Sequence, residues 1–161
     1  RALPGLRNWS GGFGRGHDLP LYKTRIGRFG VLVCYESVFE DLPRRYRRAG
    51  ADFLVNITND AWYGRTVAPY QHASHLILRA IETRMGVARA ANDGVSEFID
   101  PLGRISQPSR RQVQTVVTGQ LRTSDARSLY VWLGDWVGLL TVLATLALAG
   151  ALVMRPWRRS P

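Results

Sequence analysis

A short apolar run that stops at the chain's single cysteine limits the possible folds more than any other feature. Gly27 to Glu36 reads G-R-F-G-V-L-V-C-Y-E. Val31, Leu32 and Val33 are apolar, mostly β-branched, and bounded by Gly27 and Gly30. That composition and length read as a buried strand. After Cys34 the pattern turns polar and helix-like. A thiol at the carboxyl end of a buried strand lies where α/β folds open their ligand crevice, so Cys34 is the candidate nucleophile.

The rest of the chain supplies alternating partners for that strand. Residues 1–20 lack a sustained period and read as loop, with Arg15, His17 and Asp18 on a solvated turn. Leu19 to Ile26 reads as an extended lead-in. Ser37 to Ala49 is helical but interrupted, because Pro43 fits a helix start and not a helix middle. Ala51 to Ile57 reads as a second buried strand, followed by the polar-aromatic loop Thr58 to Gly64. A long helix is expected from Pro69 to about Ala90, with Ala73, Leu76, Ile77, Ala80, Ile81 and Val87 at helical spacing. Asn92-Asp93-Gly94 is a turn, Val95 to Ile99 a third strand, Asp100 to Gly103 a tight turn, and Gln112 to Leu121 a further strand. This order suggests an α/β or α+β sandwich.

With 161 residues the chain can bury one core. The formal charge is +10, and Lys23 is the only lysine. Such basicity favours an anionic partner, nucleic acid or a phospholipid surface. One cysteine excludes an internal disulfide framework and a cysteine-rich zinc site. The start at Arg1, without methionine or a signal pattern, reads as a carboxyl-terminal piece of something longer. Val137 to Met154 carries no charge, and as a helix it spans about 27 Å, close to the hydrocarbon thickness. Trp132 and Trp136 flank one end and Trp157 the other, and Arg155, Arg158 and Arg159 follow. These features predict a transmembrane helix with a cytoplasmic carboxyl terminus, which puts the preceding domain on the opposite face. No nucleic-acid motif appears, so lipid phosphates are the expected anions.

Several blocks occur in a familiar order: Cys34-Tyr35-Glu36, Asn59-Asp60-Ala61-Trp62-Tyr63-Gly64, Gln71-His72, Arg79-Ala80-Ile81-Glu82, Asn92-x-Gly94 and Asp100-Pro101-Leu102-Gly103. Together they resemble the carbon–nitrogen hydrolase (nitrilase) superfamily. The N-D-A-W-Y-G loop and the terminal apolar helix bring the likeness closest to its lipoprotein N-acyltransferase branch. The resemblance implies an α/β fold, part of a nitrilase-like α-β-β-α sandwich over residues 1–130, then a transmembrane helix with a basic tail over residues 131–161. It implies a bacterial inner-membrane acyltransferase with a periplasmic catalytic domain. Cys34 would take an acyl chain from a phospholipid as a thioester and pass it to the amino-terminal diacylglyceryl-cysteine of an apolipoprotein. No metal or other cofactor enters that chemistry, and no nucleic acid. The backbone N–H of Tyr35 is the natural oxyanion donor. The family's catalytic Glu and Lys lie well upstream of the Cys. Lys23, eleven positions away and without the flanking motif, is not assigned that role, so the piece alone is expected to be inactive.

Each residue also has a plainer reading. Cys34 could be a small buried hydrophobe. Glu36 is either a supporting acid for the site or a helix-start carboxylate. Asn59 and Trp62 are expected to line the crevice as substrate-binding residues, though Asn59 could serve its loop and Trp62 could be packing. His72 and His75, one helical turn apart, have no third metal ligand and read as packing or helix surface. Arg79 and Glu82 read as a surface pair, and Arg44 to Arg48 as a solvated face. The rival functions are a membrane-tethered nitrilase-type amidohydrolase using water at Cys34, and a non-catalytic membrane-anchored module.

Overall fold

The computed structural model describes residues 18–154. The expectations for Arg15, His17, Arg155, Trp157, Arg158 and Arg159 lie outside the described residues. One six-stranded mixed sheet organises the chain, in the order β1 (Tyr22–Thr24), β2 (Gly27–Val33), β3 (Phe53–Asn59), β4 (Gly86–Asn92), β5 (Glu97–Ile99), β6 (Ile105–Ser106). β2, β3 and β4 are parallel, with Val33 opposite Ile57 and Asn59 opposite Asn92. β1, β5 and β6 extend the sheet antiparallel. The parallel strands need crossovers. Helix α1 (Asp41–Arg48) links β2 to β3, and α2 (Ala68–Thr83) links β3 to β4.

The helices cover one face of the sheet. Leu32, Leu54 and Val87 point into the core, where they meet Tyr46 of α1 and Leu76 and Ala80 of α2, with Met85 and Ile99 closing the cluster. Fully burying such a side chain contributes about 1.5–3 kcal/mol each. Gly30 lets α1 approach: a Cβ there would overlap the Tyr46 ring. The Tyr46 hydroxyl donates to the Val31 carbonyl at 3.1 Å. Alternate residues such as Val33 and Ile57 face away from the helices and are about half exposed. The described residues therefore form a two-layer α/β unit, part of the sandwich that was expected.

Several expectations change. The long helix stops at Thr83, where Arg84 turns left-handed at φ 57°. Residues 86–92 form β4, not helix. Ala88, Ala90 and Ala91 favour helix, but pairing with the whole length of β3 outweighs that preference. Gln112 to Leu121 alternates but finds no strand partner among the described residues and is not a strand; Val116 is almost fully exposed. Pro43 sits in the first turn of α1, where its missing N–H costs nothing.

The arginines after it are not a uniformly solvated face. Arg47 is buried and donates to the carbonyls of Ala51, Ser124 and Ala126. Arg44 donates to those of Tyr130, Val131 and Trp132. Together they fasten the irregular segment before α3 (Leu129–Leu133) to α1. The charge-free stretch forms the helix α4 (Trp136–Met154), with exposed leucines along it. No helix among the described residues is long and apolar enough to cross a membrane, so the expected span is not established by the fold.

Candidate active site

Cys34 follows the last residue of β2 and opens a short 3-10 turn, Cys34–Val38. Its φ is +50°, a left-handed conformation rare for a residue with a Cβ. Holding it costs on the order of 1–3 kcal/mol, and such strain persists only where the surroundings enforce it. A sharp strand-to-helix turn of this kind also lifts a nucleophile out of the sheet. The residue is half-buried.

The enforcement is visible around the Cys34 carbonyl. It accepts from the Ser37 hydroxyl at 3.1 Å and from the Asn56 amide at 3.4 Å, and His72 Nε2 stands 3.2 Å away. Each donor is itself fixed. Asn56 also donates to the Leu32 carbonyl at 3.0 Å and accepts from Arg89 Nη1 at 2.5 Å. His72 Nδ1 donates to Asp60 Oδ1 at 2.9 Å. The Asp60 carboxylate accepts from Arg89 Nη2 at 2.6 Å and from the Thr58 hydroxyl at 3.0 Å. Arg89 Nε donates to the Val95 carbonyl at 3.0 Å.

The side chains of Asp60 and Arg89 are completely buried, and that of His72 nearly so. Buried charge requires pairing of this kind. Glu97 stands opposite Arg89 on β5 and is also buried. Its Oε1 has no partner among the described residues. Burial pushes its carboxyl above the ordinary 4.5, with Arg89 opposing.

Glu36 folds back so that its carboxylate accepts from the Val33 N–H at 2.7 Å, which braces the strand side of the turn. Tyr35 is exposed; its ring stacks 6.1 Å from His72 and meets Phe39 edge-on. Asn59 serves its loop: its Oδ1 accepts from the Ala61 N–H and the Asn92 amide, both at 3.1 Å. Trp62 is 85% exposed. The loop reaches the nucleophile through Tyr63, whose ring lies 5.8 Å from that of His72. Its phenol is pushed up by burial and then by the neighbouring Cys34 and Asp60.

Lys23 sits exposed on β1 opposite Arg28. Arg28 lies six residues before Cys34, which is about 20 Å along a strand, so Lys23 is remote from the sulfur. Arg79 is buried and not on the helix surface; it binds Glu82 at 2.8 Å and the Val38 carbonyl at 3.0 Å.

Four residues of this network were not singled out as functional from sequence: Asn56, Asp60, His72 and Arg89. A signal existed for two. Asn56 and Arg89 occupy strand positions in phase with buried Leu54 and Val87, and a polar residue in such a phase needs a buried partner. Asp60 and His72 meet only through the packing of α2 on the sheet.

The chain is similar to curated proteins named apolipoprotein N-acyltransferase. That of Geobacter metallireducens is 42% identical over 89% of this chain and 26% of its own length. That of Gloeobacter violaceus is 38% identical over 83% and 25%. That of Bdellovibrio bacteriovorus is 36% identical over 98% and 30%. The chain thus spans about a quarter of the length of the curated relatives it matches.

Among solved structures, Saccharomyces cerevisiae Nit3, a member of branch 10 of the nitrilase superfamily, superposes at a TM-score of 0.53 with 22% identity, over 63% of this chain and 40% of that one. An amidase from Nesterenkonia sp. AN1 superposes at 0.52 with 22% identity, over 81% and 51%. These likenesses concern the fold alone. The Carbon-nitrogen hydrolase family matches residues 4–130, most of the sequence, and the chain belongs to that family.

Proposed function

We propose that this chain carries the nucleophile of an enzyme that N-acylates the amino-terminal diacylglyceryl-cysteine of apolipoproteins. The observation that carries the reading is the elbow. The only cysteine of the chain sits half-buried at a strand's carboxyl end, in a left-handed conformation braced on both sides. Similarity to proteins named apolipoprotein N-acyltransferase supports the acyl-transfer class.

The chemistry runs in two steps. The Cys34 thiolate attacks the ester carbonyl of a phospholipid; a C–S bond forms, and the lysophospholipid leaves as its alkoxide and takes a proton. The lipoprotein's amine then attacks the thioester; a C–N bond forms, the C–S bond breaks, the amine loses a proton and the thiolate is restored. Splitting one ester-to-amide exchange at a thioester divides the barrier. In both steps the carbonyl oxygen becomes an oxyanion, which the Tyr35 N–H stabilises. Glu36 braces the turn and is the acid nearest in sequence to Cys34. Asn59 shapes the loop that brings Trp62 and Tyr63 to the crevice, and Trp62 offers an apolar wall to the acyl chain. A groove of about 560 Å³ at the open edge of β2, lined in part by Val31, Val33, Leu42 and Glu36, gives that chain a second apolar surface.

The general base is not among the described residues near Cys34, so they supply the nucleophile half of the reaction. The charge-free α4, followed in sequence by Arg155, Arg158 and Arg159, supports anchoring in the bacterial inner membrane, with the sheet on the periplasmic side. The test is mass spectrometry of the full-length protein, with the upstream Glu and Lys expected of the family, incubated with phospholipid vesicles. A fatty-acyl adduct is expected on Cys34, discharged by a diacylated lipopeptide and missing in Cys34→Ser. An adduct that survives Cys34→Ser, or discharge by water as fast as by the lipopeptide, refutes the reading.

A further inference from the structure

The buried network has a directional consequence. A trans peptide is planar, with its C=O and N–H pointing oppositely. The carbonyl of the Cys34–Tyr35 peptide is drawn inward by Ser37, Asn56 and His72 at 3.1–3.4 Å. The Tyr35 N–H of the same peptide is therefore turned away from the network, toward the side where the sulfur's substrate must lie. Donation to a carbonyl also polarises its peptide, which makes that N–H a stronger donor.

We propose that His72 is a positioning residue for the oxyanion donor: through the Cys34 carbonyl it fixes and polarises the Tyr35 N–H. The inference rests on Cys34 being the acyl-accepting nucleophile. His72 faces an acceptor on each side, the Asp60 carboxylate at 2.9 Å and the Cys34 carbonyl at 3.2 Å. The Ser37 hydroxyl, 3.1 Å from Nε2, closes the arrangement.

Two substitutions separate the two ends of the ring. In H72Q the longer side chain puts an amide N–H near the Nε2 position, facing the Cys34 carbonyl. In H72N the amide N–H replaces Nδ1 and keeps only Asp60. The experiment uses the full-length protein, upstream Glu and Lys included, in phospholipid vesicles and reads two rates at Cys34, both mapped by peptide mass. One is single-turnover acylation by phospholipid, which builds an oxyanion. The other is alkylation by iodoacetamide, in which sulfur displaces iodide from carbon and no oxyanion forms.

H72N is expected to acylate about 100-fold more slowly, the scale of losing an oxyanion donor, with the half-saturating phospholipid concentration unchanged. H72Q is expected to keep most of the rate, and both variants to alkylate as the unsubstituted protein does. Equal losses in H72N and H72Q, an H72N that acylates at the original rate, or alkylation that falls in parallel with acylation would each overturn the proposal. If the unsubstituted protein forms no acyl adduct while Cys34 still alkylates, the acyl-transfer reading itself fails and this inference fails with it.

Discussion

Removing Arg89 gives the sharpest test of the buried network. Its guanidinium donates to three acceptors, Asn56 Oδ1, Asp60 Oδ2 and the Val95 carbonyl. Its side chain and that of Asp60 are fully buried. Arg89→Met keeps most of the volume and removes every donor. Breaking a buried pair from one side costs about 3–5 kcal/mol, because the remaining charge is left uncompensated. The orphaned oxygens of Asn56 and Val95 add to the same loss rather than counting separately, so about 5 kcal/mol is expected. For a domain of this size each kcal/mol moves Tm by about 2–4 °C, which gives a fall of about 10–20 °C. Thermal unfolding followed by circular dichroism of the detergent-solubilised protein reads it directly. Adding Asp60→Asn to Arg89→Met removes the stranded charge. The double variant should therefore lose at least about 2 kcal/mol less than the sum of the two single losses. Additive losses would refute the claim that the two side chains act as one unit.

Two further expectations come from the same sheet. Glu97 holds its proton to higher pH than the ordinary 4.5, because burial penalises its charged form more than Arg89 favours it. The stability it gives is full below about pH 4.5 and is lost as pH rises through the folded value. Glu97→Gln should therefore raise Tm at pH 8 and leave it unchanged at pH 4; a variant less stable at pH 8 contradicts this. Gly30→Ala places a methyl group inside the Tyr46 ring. It should destabilise by about 1–3 kcal/mol, with the Tyr46→Leu background relieving most of the loss; an unchanged urea midpoint for Gly30→Ala would show that α1 can move away.

The strand that ends at Cys34 was legible because its signal is local: a short β-branched run, two glycines and a lone sulfur. The turn at Asp93 and the helix containing Leu76 and Ala80 were legible for the same reason. β4 was not. Gly86 to Asn92 has the composition of a helix, and only the register Asn59↔Asn92 makes it a central strand. The segment around Val116 alternates like a strand yet finds no strand to pair with among the described residues. His72 reads as one more helical residue until α2 packs against the sheet and places Asp60 and the Cys34 carbonyl on either side of its ring. The arginines after Pro43 look like an exposed cluster, but the carbonyls that Arg44 and Arg47 reach lie nearly ninety and eighty positions further on.

Those two arginines have a mechanical consequence. Five carbonyl contacts from adjacent turns of α1 rivet the stretch from Ser124 to Trp132 onto the layer that carries the elbow. A tilt or piston movement of α4 cannot be taken up by slack in that stretch. It must act on α1 and, through Tyr46 beside Gly30, on the strand that presents the sulfur. The position of Cys34 relative to the start of α4 is set by a stiff bracket and not by a tether.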